Sequence, residues 1–136
     1  MAMVVCGGCG SALTRELERV SHHALDLDAT DATPTITPGR VAVDPHPVIH
    51  QRSLYGRPLE DYEYAPAGAI VVNPHDRLDG ALVDHGGGCC GLDGMDGLNQ
   101  ECARCHQFVA LARTDCWMPF VVRFFPERSR LTPDER

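Results

Sequence analysis

Two Cys-x-x-Cys pairs stand near opposite ends of the chain, Cys6-Gly7-Gly8-Cys9 and Cys102-Ala103-Arg104-Cys105. Each pair puts two thiolates on one tight turn. Two such turns supply the four soft ligands of a closed tetrahedral Zn²⁺ site. The 92 residues between Cys9 and Cys102 far exceed the spacing within one zinc ribbon. A shared ion would therefore clasp the start of the fold to its end.

The first pair runs into Gly10, which relieves the turn, and backbone amides of such a knuckle point at the sulfurs. A thioredoxin-like redox pair is the rival reading, because Val4-Val5 precedes the knuckle and a helix could follow it. Against it, the rest of the chain does not alternate strands with helices. The second pair continues into His106 and so spells the c-type haem attachment pattern. Covalent haem attachment follows export, and no export segment is expected here. A second Cys-x-x-Cys without its own His also fits zinc better.

At 136 residues one domain is expected, spanning 1–136 and clasped by zinc. Gly 13 and Pro 10 favour turns over long helices. All the basic residues are Arg and Asn is scarce, which reflects a GC-rich genome. The net charge is −7, and a four-thiolate zinc site makes the holo-protein more acidic by roughly two charges. That balance disfavours nucleic acid as a partner, although Arg123, Arg128 and Arg130 could form a small local basic patch. The opening Met1–Val5 run is too short for a signal or a membrane span. Seven cysteines cannot all pair, so a cytoplasmic, reducing setting is expected, where thiols serve metal or redox chemistry.

The chain reads as mainly β and loop-rich. Strands are expected at Ala2–Val5, Arg40–Val43, Ala69–Val72, Ala81–Val83, Phe108–Leu111 and Phe120–Phe125, with a turn at Asp79-Gly80. Leu13, Leu17, Val20 and Ala24 recur at helical spacing and predict a helix of about two turns. A ribbon strand following the knuckle is the competing reading. Residues 26–68 read as a loop-rich insertion broken by Pro34, Pro38, Pro45 and Pro47, and residues 126–136 as a polar tail that frays.

Cys89, Cys90 and Cys116 remain. With His85 or His106 they would complete a second, Cys₃His site, retaining a water if only three ligands bind. Adjacent cysteines rarely aim both side chains at one ion, however, and cysteine is among the most buried residue types, so small core residues are the competing reading. Trp117 is expected in the core. Asp93, Asp96 and Asn99 lack the alternate spacing of an EF-hand loop and fit Asp-Gly turns instead. If the chain has a functional face, the Gly86–Gly97 segment is where it is expected.

The two knuckles resemble those of zinc-ribbon proteins. The Cys89-Cys90-Gly91-Leu92-Asp93-Gly94 stretch, with Cys102, Cys105 and Asp115-Cys116-Trp117, is similar to small bacterial proteins of comparable length. The resemblance leaves residues 26–68 unmatched, implies a bound metal and a shared fold, and carries no activity with it. His106 departs from the Gly usual after the second pair. The function expected is a zinc-stabilised cytoplasmic module acting on a protein or small-ligand partner, with Zn²⁺ structural at Cys6, Cys9, Cys102 and Cys105. The alternative is a small metalloenzyme or thiol enzyme centred on Cys89, Cys90 and Cys116, with no catalytic residue assigned.

Overall fold

The structure is a computed structural model and describes residues 1–52, 60–95 and 97–133. Residues 53–59 of the expected insertion, Asp96 and the last three residues of the expected tail lie outside them. The chain folds as a mainly β domain, with two short 3-10 turns among the described residues, at His22–Ala24 and Pro74–Asp76. Among the described residues no helix is long and apolar enough to cross a membrane.

Strand β1 (Met3–Cys6) pairs antiparallel with the last strand, Ser129–Thr132, setting Val4 opposite Leu131 and Cys6 opposite Ser129. The expected fraying tail is therefore a strand as far as Thr132. Its only apolar residue is Leu131, which is buried, and its partner lies at the far end of the sequence, so no local periodicity announces it.

The helix predicted from Leu13 to Ala24 does not form; the chain instead turns back beside β1 as a ribbon. Cys6 N donates to Ser11 O at 2.9 Å, Leu13 N to Val4 O at 2.8 Å, and Ala2 and Leu17 exchange both backbone bonds. Leu13 and Leu17 are fully buried. A spacing of four suits a helix, but it is also an even number and so suits a period of two. Thr14 decides between them locally, because its hydroxyl accepts the Val4 amide at 3.0 Å.

After a short β2 (Glu18–Arg19) come β3 (Arg40–Asp44), β4 (Val48–Arg52), β5 (Glu60–Ala65), β6 (Ala69–Val72), β7 (Leu82–Asp84), β8 (Gln100–Cys102), β9 (Phe108–Arg113), β10 (Val121–Phe124) and the closing β11. The main sheet has the order β2-β3-β6-β10-β9-β8-β7, antiparallel except for β2 beside β3. Val72 lies between Val41 and Val122, and Ile70 between Val43 and Phe124. These β-branched and aromatic residues face the ribbon and join Val4, Leu13, Leu17 and Leu131 in the principal core. The opposite face buries Val71 and Val121 against Ile36, and Leu111 against Tyr64.

The described part of residues 26–68 holds more strand than its reading as a loop-rich insertion expects. Besides the expected β3 it contains the β4–β5 hairpin. The prolines at 45 and 47 fall between β3 and β4, where the ladder breaks anyway, and β5 is too polar to read as a strand. Arg123 is not part of a surface patch: it is buried in β10 and pairs with buried Asp44, Nη1 to Oδ2, at 3.0 Å.

Candidate metal centres

Each knuckle begins where a strand ends. Cys6 closes β1 and Cys102 closes β8, so both first cysteines are inherited from the core and are fully buried. The two turns then repeat one another. Gly10 N donates to Cys6 O and His106 N to Cys102 O, both at 2.8 Å. Gly7 has no room for a side chain, since a Cβ there would come within 2.9 Å of the Arg128 backbone. The Gly8 amide points at Cys6 Sγ at 3.4 Å.

The four sulfurs converge. Cys6 Sγ lies 3.5 Å from Cys105 Sγ, Cys9 Sγ lies 3.7 Å from Cys102 Sγ, and all four are within 4.8 Å of one another. Zn–S bonds of about 2.3 Å would set tetrahedral sulfurs about 3.8 Å apart, so these edges fit one ion with little movement. Ser11 Oγ approaches Cys9 Sγ at 3.1 Å and Cys102 Sγ at 3.5 Å. That hydroxyl, with the Ser11 amide, lowers the Cys9 thiol to about 6. Burial pushes Cys6 up to about 11. Burial also acts upward on Cys102, but the amides of Cys105 and Arg104 and the Ser11 hydroxyl prevail and lower it. Metal binding needs thiolates, and the hydrogen bonds at Cys9 and Cys102 already favour that form there.

A second group lies in the glycine-rich segment. Cys89 Sγ is 3.4 Å from Cys90 Sγ and 3.7 Å from Cys116 Sγ, and Cys90 and Cys116 are 3.1 Å apart. Both sulfurs of the adjacent pair therefore point at the same place, contrary to expectation, and all three cysteines are exposed rather than core residues. Asp115 completes the group. Its Oδ1 accepts from the amides of Cys90 (3.0 Å) and Cys116 (2.8 Å) and faces the Cys89 thiol at 3.5 Å, while Oδ2 accepts from Trp117 Nε1 at 3.1 Å. Burial works to raise the Asp115 pKa, but these donors outweigh it and hold it below the usual carboxylate range. The Cys90 contact lowers Cys89, yet Cys116 and Asp115 outweigh it and leave that thiol raised; Cys116 is raised first by Cys90.

Neither expected imidazole joins this group. His85 Nε2 and His106 Nδ1 instead share the two oxygens of Glu101, at 2.8 and 2.6 Å, and hold that carboxyl below its usual range, His106 most. Trp117 is not a core anchor; it is 54% exposed and serves Asp115 through its indole N–H. Asp115 is the residue that sequence reasoning misses. Its one signal is its place immediately before Cys116-Trp117, whose two N–H groups it takes up. Asp93 Oδ1 accepts the Met95 amide in its own turn, and Asn99 is buried and bonded to Ala112.

Away from both groups, a cavity of about 260 Å³ opens beside the β4–β5 hairpin, walled by Leu27, Val48, Tyr64, Pro119 and Val121 with the Asp44–Arg123 pair. No family model, curated protein or solved structure matches the chain. Fold and site together define a small mainly β domain with two cysteine groups, each able to hold a metal ion.

Proposed function

We propose that the chain is a zinc-stabilised module in which Cys6, Cys9, Cys102 and Cys105 hold one structural Zn²⁺, and that it acts through a protein or small-ligand partner. The observation supporting this is the convergence of four sulfurs from knuckles 92 residues apart. A four-thiolate shell has no position left for water or substrate, so the ion's work is to join strands. It joins β1, which among the described residues pairs with β11 and the ribbon alone, to β8 near the edge of the main sheet. Two-stranded pieces are marginal alone, which makes such a link valuable. The likeness of the knuckles to zinc ribbons agrees with this choice of ion. Net charge −7 without Lys favours a protein or small-molecule partner over a phosphate backbone, and the cavity beside Tyr64 is of a size for a small ligand.

Elemental analysis of the purified full chain, with X-ray absorption at the zinc edge, tests the reading. Zinc is expected, in a four-sulfur shell when the chain is loaded with a single equivalent. A different resident ion, or knuckles closed as disulfides, would overturn it.

A further inference from the structure

Three exposed cysteines that converge on each other are unusual, because cysteine normally hides in cores. Here the convergence is built. Segments 88–92 and 114–118 are laced together by Leu92 N to Thr114 Oγ1 (2.9 Å), Thr114 N to Leu92 O (2.8 Å), Asp115 N to Leu92 O (3.1 Å) and Cys90 N to Asp115 Oδ1 (3.0 Å). Gly88 and Gly91 press on Asp115 and Thr114 so closely that a Cβ on either would overlap them. The result is a triangle of sulfurs, 3.1 to 3.7 Å on a side, facing solvent.

We infer that Cys89, Cys90 and Cys116 form a second metal site, a three-thiolate seat for one thiophilic cation such as Zn²⁺, with its fourth position open to solvent. Thiolate donors select soft ions, and sulfurs this close suit a single ion. Asp115 is a positioning residue rather than the fourth ligand. The two lone pairs of its Oδ1 are engaged by two amides, and Oδ2 receives the indole N–H. It is buried, and its acceptor sites go to the Cys90 and Cys116 amides, the Trp117 indole and the Cys89 thiol, so it fixes the backbone that carries the three sulfurs. The inference goes beyond the clasp and uses none of its ligands. An open, exposed shell also exchanges its ion faster than a closed one.

The test uses the full-length chain, reduced and loaded with Zn²⁺, then challenged with a chromophoric chelator. Two equivalents are expected, released in two phases, with the fast phase absent from a Cys89→Ser/Cys90→Ser/Cys116→Ser variant that keeps the slow one. Zinc is also expected to protect these three thiols of the wild-type chain from alkylation, a measurement that needs no variant. A stoichiometry at saturation that is unchanged in the triple variant would overturn the inference. So would a fast phase surviving in the triple variant, equal alkylation with and without zinc, or a disulfide within the triangle under reducing conditions. Loss of the slow phase alone would count against the clasp and leave this site standing.

Discussion

His106 stands at φ +67° in its knuckle at the same place where Gly10 stands at φ +74° in the other, and each donates its amide to the carbonyl of the first cysteine of its pair. The turn thus demands the left-handed conformation at both places, and in one of them a side chain bears it. Left-handed backbone costs a non-glycine residue roughly 1–2 kcal/mol.

His106 also reaches Glu101, so replacing it changes two things at once. Comparing His106→Gly with His106→Ala separates them, since both lose the imidazole and only Ala keeps the strain. The Gly variant should be the more stable by about 1 kcal/mol in denaturant unfolding of the zinc-loaded chain, less whatever the freer unfolded glycine offsets. Equal stabilities, or a more stable Ala variant, would mean that the backbone conformation is not the constraint.

For the clasp, Cys9 and Cys105 are the informative positions, because Cys6 and Cys102 are fully buried and Ser there would also bury a hydroxyl. Cys9→Ser and Cys105→Ser should each destabilise the zinc-loaded protein by more than about 4 kcal/mol, the range of a lost metal. In excess chelator both should match the metal-free wild type. If the knuckles held separate ions, the two variants would differ and a chelator would unfold the chain in steps.

The knuckle cysteines are legible in the amino-acid sequence because ligand chemistry repeats a local spacing. Strands β3, β6, β9 and β10 are legible too, because their β-branched runs need no partner to identify them. What escapes a sequence reading depends on partners distant along the chain. Leu131 reads as a lone apolar residue until β1 lies beside it. Leu13 and Leu17 carry a spacing common to two periods, and pairing with β1 selects between them. His85 and His106 look like ligands by residue type, but Glu101 captures both; Asp115 looks like a turn residue, yet it anchors the second cysteine group.

The glycine loop offers a matched pair of substitutions. A Cβ at Gly88 would overlap the Asp115 carboxylate, whereas one at Gly87 would meet nothing within 4 Å. Gly88→Ala should therefore lower the thermal midpoint, by the equivalent of roughly 1–3 kcal/mol, and disturb the environment of Trp117. Gly87→Ala should stay within about 0.5 kcal/mol of the wild type. Indole fluorescence recorded through thermal unfolding reads both effects. Equal behaviour of the two variants would mean that the Gly88–Asp115 approach does not constrain this loop.

Asp44 and Arg123 lie on β3 and β10, the two neighbours of β6, so their ion pair bridges the same face of the sheet across the Ala69–Val71 stretch. Both are nearly fully buried, and Asp44 Oδ1 additionally accepts the His46 amide at 3.0 Å. Arg123 Nε, by contrast, has no hydrogen-bond partner among the described residues, which makes the pair an incompletely satisfied one. A buried pair of this kind is weakly stabilising as a unit but severe to break, since either partner alone is an uncompensated charge. Arg123→Met should therefore destabilise by about 3–5 kcal/mol, and Asp44→Leu by a comparable amount. The double variant should be markedly less damaged than the two singles added together, because it leaves no charge behind. A thermodynamic cycle from urea unfolding of the four proteins decides the matter. Additive losses, or an Arg123→Met effect below about 1 kcal/mol, would show that the two charges are not coupled across β6.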